Sequence, residues 1–168
     1  MQLNKPIILF DIDYALFDTD SFKKSGLTDY TLYPGDLEAL NMLKNIADLG
    51  IFSQETPPIA QMKKLEETGV RRYFPDERVH LYLDKLAEMR RVFETYRDRE
   101  RLILIDDKLA VLDQAKKAKP DITTIWVNRG PYASQEPQIK GFKPDFEVKS
   151  LINVVPFIQN LCVEFSLT

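Results

Sequence analysis

The sequence lacks the features of a disulfide-stabilised, secreted or membrane-spanning chain. It has one cysteine, Cys162, which rules out a disulfide within the chain and fits a reducing compartment. Its N-terminus does not show the charged, apolar and small-residue order of a signal peptide. No apolar run approaches the roughly 20 residues that a membrane-spanning helix needs. These absences predict a cytoplasmic protein with no membrane partner.

An excess of positive charge is also missing. Lys and Arg number 23 against 26 Asp and Glu, and the formal net charge is -3. The chain therefore has no global basic field with which to hold nucleic acid or an anionic membrane. Basic pairs occur at Lys63–Lys64, 71–72 and 90–91, but acidic residues lie within a few positions of each pair. We expect these pairs to be solvated surface groups.

Length and composition are those of an ordinary globular protein. The chain has 168 residues, of which 44% are hydrophobic, 29% charged and 11% aromatic. This length is sufficient for one domain to bury its own core without disulfides or structural metals. No internal repeat or low-complexity tract interrupts it. We therefore expect a single domain that spans residues 1–168.

Apolar runs alternate with amphipathic stretches along most of the chain. The first run, in PIILFDID, places large apolar residues at every position of 7–10 and is typical of a central strand covered on both faces. Further strands are predicted at 51–53, 79–83, 102–105, 122–127 and, as a last short strand, 146–148. Helices are predicted around 21–24, 36–48, 57–69, 85–97 and 109–119, with a final one from Ser150. This alternation predicts an α/β fold, a three-layer Rossmann-like sandwich whose mostly parallel sheet has about five strands.

Glycines and prolines mark several connections. Gly50 and Gly69 follow helical patterns and are both predicted to be C-cap glycines. The segment 128–144 contains three prolines and two glycines and is predicted to be a loop. Between Asp13 and the turn at Pro34 there is room for only a loop and a short helix, so no large cap domain is expected.

Polar side chains recur where the predicted strands end. They are two carboxylates after the first strand, a hydroxyl at the second, an ammonium past the third and two carboxylates after the fourth: Asp11, Asp13, Ser53, Lys85, Asp106 and Asp107. Because the carboxyl ends of parallel strands lie at one edge of the sheet, we expect these groups to converge. Several carboxylates around one point indicate a hard divalent cation, and Mg²⁺ with retained waters suits oxygen ligands. A hydroxyl and an ammonium beside this cation would serve a phosphoryl group, whose oxygens need donors and positive charge.

Taken singly, these residues also have structural interpretations. Ser53 could cap a turn, Lys85 could be a solvated residue of a first helical turn, and Asp106 could be the N-cap of the next helix. His80, the one histidine, falls within the apolar pattern of the third strand and is assigned a structural role. Together, however, the structural interpretations require four independent coincidences at one edge of the sheet.

The same residues resemble the four sequence motifs of the haloacid dehalogenase superfamily, mostly phosphatases and phosphotransferases with a Rossmann-like sheet. The first motif, an apolar strand ending in Asp-x-Asp-x-(Thr/Val), resembles DIDYA at 11–15. The second, a strand-ending Thr or Ser, resembles Ser53 in GIFSQET, and the third, a Lys that opens a helix, resembles Lys85 in LYLDKLAEM. The fourth, an apolar strand ending in two acids, resembles Asp106 and Asp107 in LILIDDK.

The likeness extends over about residues 6–130, because all four motifs occur in order and on the expected elements. The segment YPGDLEALNMLKNIADLG also resembles the helix that usually precedes the second motif. Two positions depart from the family pattern. Ala15 stands where the family has Thr or Val, and Gln54 follows Ser53 where the family often has Asn. We expect both departures to tune the site.

The resemblance implies a role for each motif residue. Asp11 would be the nucleophile that forms an aspartyl-phosphate, which divides one difficult displacement into two easier ones. Asp13 would protonate the leaving alkoxide and then activate water. Ser53 and Lys85 would hold the phosphoryl oxygens. An acid/base at position 13 favours phosphoryl transfer, because the dehalogenases that name the superfamily need none there.

The resemblance also implies a metal site. Mg²⁺ would lie between the Asp11 carboxylate, the backbone carbonyl of Asp13 and Asp106, and would neutralise charge that otherwise keeps the nucleophile from phosphate. Asp107 would bind a metal-bound water or orient Lys85. The leading hypothesis is thus a Mg²⁺-dependent phosphomonoester hydrolase that acts on a phosphorylated small molecule or macromolecule.

Two other functions remain open at this point. A receiver-like module would accept a phosphoryl group on Asp and bind a partner, but its phosphorylated Asp lies on a middle strand and its Lys follows a late strand. Here the best pair of acids follows the first strand, and Lys85 precedes the fourth. The second alternative is a catalytically weak scaffold with the same fold. A homo-oligomer that closes the site is left open as well.

Overall fold

A computed structural model describes residues 5–55, 58–130, 135 and 138–164 of the chain. Six parallel strands form one sheet in the order β3-β2-β1-β4-β5-β6: β1 Ile7–Phe10, β2 Asp48–Gln54, β3 Val79–Tyr82, β4 Leu102–Asp106, β5 Thr123–Val127 and β6 Phe146–Val148. The helices are α1 Thr19–Lys24, α2 Asp36–Ile46, α3 Pro58–Glu67, α4 Lys85–Glu94, α5 Leu109–Ala118 and α6 Val154–Glu164. The predicted α/β sandwich with a parallel sheet is confirmed.

The sheet lies between two layers of helices because its central strand is apolar on both faces. Ile8 and Phe10 of β1 belong to a core shared with α2, α3 and α6. Ile7 and Leu9, which point the opposite way, belong to a second core shared with α4 and α5. All four side chains are completely buried. None of the described helices has the length and apolarity that a membrane span requires.

The sheet has six strands, so the prediction of about five was too low. The sixth strand is the last short strand predicted at 146–148, and it pairs in parallel with β5 through Val127 and Val148. Only three residues form it. Parts of the predicted loop before it, at 131–134 and 136–137, lie outside the described residues, as does Pro57 at the predicted start of α3.

The prediction of a C-cap glycine is confirmed at position 69 and wrong at position 50. Gly69 has φ +72° and its N–H donates to the Glu66 carbonyl at 2.9 Å, as expected of a residue that ends a helix. Gly50 instead lies inside β2, which begins at Asp48, and it pairs with Leu9. A Cβ atom at position 50 would lie 2.7 Å from the backbone oxygen of Arg78. Gly50 is therefore required by the close approach of another backbone segment.

Gly50→Ala is expected to destabilise the fold by about 2–3 kcal/mol, because the new methyl group overpacks a closed site. Besides the Arg78 oxygen, it would meet Leu9 Cδ2 at 2.8 Å. Urea unfolding measures the loss. Gly69→Ala is the matched control, because its Cβ meets nothing within 4 Å and only its positive φ is strained. A loss at position 50 no larger than that at position 69 would contradict this account.

Candidate active site

Three of the predicted residues meet at the carboxyl edge of the sheet. Asp11 follows β1, Asp106 ends β4, and Lys85 opens α4 after the Asp84 side chain has capped it. Lys85 Nζ donates to Asp11 Oδ1 at 3.0 Å and to Asp106 Oδ2 at 2.5 Å. Only 4% of Lys85 is exposed. Burial opposes its charge, but the two carboxylates raise the pKa of Lys85 above its usual value.

Asp107 adds a third carboxylate that has no donor. It is 3% exposed, and neither of its carboxylate oxygens has a hydrogen-bond partner in the part of the chain that the structure describes. Burial, followed by the nearby Asp106 and Asp11 carboxylates, raises the pKa of Asp107 to about 9. One oxygen each from Asp11, Asp106 and Asp107 lies within 4.8 Å of the others. The group can therefore offer several oxygen ligands to one cation.

The Asp13 carboxylate lies outside this group of three acids and has its own donors. Its Oδ1 accepts from Thr19 Oγ1 at 2.8 Å and from Lys64 Nζ at 2.7 Å, and its Oδ2 accepts from Gln61 Nε2 at 2.9 Å. Burial raises the pKa of Asp13, but the Lys64 ammonium and the three hydrogen bonds outweigh it and hold this pKa below its usual value. Asp13 is therefore a carboxylate at neutral pH in this arrangement.

Lys64 and Gln61 were not found by the sequence analysis. The prediction that Lys63–Lys64 is a solvated pair is wrong for Lys64, which is 9% exposed and paired with Asp13. A usable signal was present, because residues three and four apart share one face of a helix. Gln61, Lys64 and the buried Leu65 occupy one face of α3. That face is the one turned to the site.

Ser53, near the end of β2, lies close to Gln61 at the same edge of the sheet. Its side chain is 1% exposed, and its Oγ lies 3.5 Å from Gln61 Nε2. Among the described residues no acceptor takes the Ser53 hydroxyl proton. Ser53 can therefore donate a hydrogen bond to a ligand. Gln54, which departs from the family pattern, has an exposed side chain, and its backbone carbonyl accepts from Gln61 at 2.9 Å.

A cavity of about 560 Å³ opens above these side chains. Asp11, Asp13, Ser53 and Asp107 line it from the sheet side, and α1 with its neighbouring residues lines it from the other. Between β1 and α2 the chain forms only the six-residue α1 and connecting segments. The volume of the cavity is sufficient for an organic group attached to a phosphate.

Arg129 holds the backbone that follows Asp13. It lies in a predicted loop, and no pattern in the sequence pointed to it. Its guanidinium binds both carboxylate oxygens of the fully buried Asp36. It also donates to the carbonyl oxygens of Tyr14, at 3.2 Å, and Ala15. Tyr14 has φ +60°, an uncommon conformation for a residue other than glycine. Arg129 thereby fixes the turn that carries Asp13.

His80 has the structural position assigned to it. It lies on β3, and its Nε2 is 2.6 Å from the hydroxyl of Tyr96 on the opposite side of the sheet from Ser53. The two rings pack edge to face at 5.6 Å between centroids. Burial lowers the pKa of His80, so the imidazole is neutral at pH 7.

Several solved structures have the same fold. No protein-family model matches the sequence, and no curated protein does. A haloacid dehalogenase-like hydrolase from Burkholderia xenovorans is 22% identical with a TM-score of 0.77, covering 94% of this chain and 98% of its own. A haloacid dehalogenase-like protein from Streptococcus pneumoniae is 14% identical with a TM-score of 0.71, covering 93% and 99%.

A third similar structure is a D,D-heptose 1,7-bisphosphate phosphatase from B. bronchiseptica, solved in complex with magnesium and phosphate. It is 14% identical, with a TM-score of 0.66, and the match covers 93% of this chain and 99% of the phosphatase. At these identities the likeness establishes the fold. The resemblance that the four motifs predicted is thus confirmed at that level, and this chain has the fold of the haloacid dehalogenase-like hydrolases.

Proposed function

We propose that this protein is a Mg²⁺-dependent phosphomonoester hydrolase that works through an aspartyl-phosphate on Asp11. The observation that carries the proposal is the buried group of Asp11, Lys85, Asp106 and Asp107, of which Asp11 and Asp107 line the cavity. A carboxylate beside a fixed ammonium and a cation site is the arrangement that a phosphoryl group requires. The phosphatase with this fold adds support, because it was solved with magnesium and phosphate bound.

The side chains can perform both halves of the reaction. Asp13 is a carboxylate in the free site, so it first takes up the proton of a bound phosphate monoester monoanion. In the first half, an Asp11 oxygen attacks phosphorus, the bond from phosphorus to the leaving oxygen breaks, and Asp13 passes this proton to that oxygen. In the second half, Asp13 removes a proton from water, which attacks the aspartyl-phosphate and releases inorganic phosphate and the Asp11 carboxylate. Ser53 and Lys85 donate hydrogen bonds to the phosphoryl oxygens in both halves.

The residues present fit a magnesium ion. Asp11, Asp106 and Asp107 would hold it, and the two unpaired oxygens of Asp107 are the kind of buried acceptor that a cation satisfies. The ion would neutralise negative charge on the phosphoryl group and the carboxylates. The backbone carbonyl of Asp13 is a further predicted ligand. Lys85 supplies an ammonium that forms ion pairs with Asp11 and Asp106.

Hydrolysis of p-nitrophenyl phosphate with and without Mg²⁺ tests the proposal. Turnover that requires the metal, is lost with chelator and returns with fresh Mg²⁺ is the expected result. Equal background rates in all conditions would contradict it. A stable phospho-aspartate formed from acetyl phosphate, without release of inorganic phosphate, would instead support a phospho-accepting signalling module.

Asp107→Asn should separate metal binding from folding. Mg²⁺ at about 100 times its dissociation constant is expected to stabilise the wild type by about 2.7 kcal/mol, and the variant much less, because one ligand is gone. Without metal the variant should be at least as stable as the wild type, because burial and the neighbouring acids disfavour an ionised Asp107. Thermal unfolding in MgCl2 against KCl of equal ionic strength measures both.

The matched control for Asp107→Asn is Asp98→Asn, whose side chain is 94% exposed. It should respond to Mg²⁺ as the wild type does. Equal stabilisation of wild type and Asp107→Asn by Mg²⁺ would show that Asp107 does not bind the ion.

A further inference from the structure

The strongest feature that the motif residues do not explain is the set of donors around Asp13. Asp13 Oδ1 accepts two hydrogen bonds, from Thr19 and Lys64, and Oδ2 accepts one, from Gln61. Each carboxylate oxygen has about two acceptor positions. Oδ2 therefore keeps one position free, and Asp13 lines the cavity. The donors decide which oxygen of Asp13 is available to a ligand.

The two donors on α3 are themselves fixed. Gln61 Nε2 also donates to the Gln54 carbonyl at 2.9 Å and lies 3.5 Å from Ser53 Oγ, so it ties Asp13 to the end of β2. Lys64 Nζ lies 5.1 Å from the ring centroid of Phe17 and 5.7 Å from that of Phe22. Both side chains are at least nine-tenths buried as residues, at 4% and 9% exposure. Neither donor can turn away easily.

We propose that Lys64 and Gln61 are positioning residues for Asp13, and this inference rests on the proposed phosphatase reaction. They hold the Asp13 carboxylate so that the free position of Oδ2 faces the leaving oxygen of the substrate. An acid/base group contributes only when it is within hydrogen-bond reach of the proton that it transfers. A carboxylate that rotates freely about its χ angles spends little time within hydrogen-bond reach of the leaving oxygen.

The inference predicts a dependence on the leaving group. Transfer of a proton matters most for an alkyl phosphate, whose alkoxide is a poor leaving group, and least for p-nitrophenyl phosphate, whose phenolate leaves without a proton. Lys64→Met should lower kcat/KM for an alkyl phosphate by about 100-fold and for p-nitrophenyl phosphate by about 10-fold or less. Lys64→Arg should recover part of the loss, because it restores a cation beside Asp13.

Lys63→Met is the matched control. Lys63 is the adjacent lysine on α3, is exposed, and lies over the Tyr30 ring away from Asp13. It should leave both kcat/KM values unchanged. A loss in Lys64→Met that is equal for the two substrates, or that matches the loss in Lys63→Met, would overturn the inference. A residue with a purely structural role would lower both rates together.

A crystal structure keeps this test separate from the proposed function. In the double variant Gln61→Leu/Lys64→Met the Asp13 carboxylate is expected to leave its observed position, whereas in Lys63→Met it should stay. An unchanged Asp13 in the double variant would overturn the positioning role whatever the activity. A wild-type protein without metal-dependent phosphatase activity would contradict the proposed function, while the crystal structures would still decide what holds Asp13.

Discussion

Asp11→Asn is expected to abolish metal-dependent phosphatase turnover, with a fall in kcat of about 10³-fold or more. The amide that replaces the carboxylate cannot attack phosphorus, and Lys85 then loses one of its two carboxylate partners. Steady-state hydrolysis of p-nitrophenyl phosphate at saturating Mg²⁺ measures the effect. Saturation matters because Asp11 also belongs to the three acids that would hold the ion.

The covalent intermediate gives a second measurement for the same variant. Acid-quenched wild-type protein is expected to carry a phosphoryl group on the peptide that contains Asp11, and the variant should carry none. Asp29→Asn, an exposed acid outside the cavity, is the control and should behave as the wild type. Wild-type turnover by Asp11→Asn would place the nucleophile elsewhere. The fold should persist, because Lys85 keeps its hydrogen bond to Asp106.

The residues that meet at the carboxyl edge of the sheet could be predicted from the sequence, because the parallel topology determines which strand ends lie there. Once β1 and β4 are recognised as apolar strands, the side chains that follow them must meet, and the structure places Asp11 and Asp106 around one ammonium. Lys85 was found for the same reason, since it follows β3. No side-chain geometry was needed to bring these three residues together.

The residues that escaped prediction depend on contacts that a single sequence does not encode locally. Lys64 lies 51 positions from Asp13 in the sequence, and Arg129 lies 93 positions from Asp36. Neither ion pair therefore corresponds to a short sequence spacing that a motif could reveal. Gly50 was misread because a glycine after a helix and a glycine inside a strand look alike until the register of β1 with β2 is known. The predicted sheet had about five strands rather than six because the last predicted strand, at 146–148, has only three residues.

Arg129→Met is expected to reduce the free energy of unfolding by about 3–5 kcal/mol at pH 7, because it leaves the Asp36 carboxylate buried without its partner. Asp36 is completely buried, and the side chain of Arg129 is 10% exposed. The variant should also lose activity, because Arg129 donates to the Tyr14 and Ala15 carbonyls that follow Asp13. Urea unfolding and p-nitrophenyl phosphate hydrolysis measure the two effects.

The loss in Arg129→Met should depend on pH with a definite sign. Burial already raises the pKa of Asp36 to about 6, although Arg129 opposes the rise, and removal of Arg129 must raise it further. Because the folded state then binds this proton more tightly than the unfolded chain, the free energy of unfolding falls as pH rises between the two pKa values. The variant should therefore be closer to the wild type at pH 5 than at pH 7.

The double variant Asp36→Asn/Arg129→Met identifies the buried charge as the cause. It has no charge at either position, so it should recover much of the stability that Arg129→Met loses at pH 7, and its stability relative to the wild type should depend less on pH. The contrary outcome is a loss of stability in Arg129→Met that is the same at pH 5 and pH 7 and is not recovered in the double variant. It would mean that the packing of Arg129 over Tyr33, 3.8 Å from the ring centroid, contributes more to stability than the ion pair. Recovery of stability without recovery of activity would support a role of Arg129 in holding the turn after Asp13, since its hydrogen bonds to Tyr14 and Ala15 would still be missing.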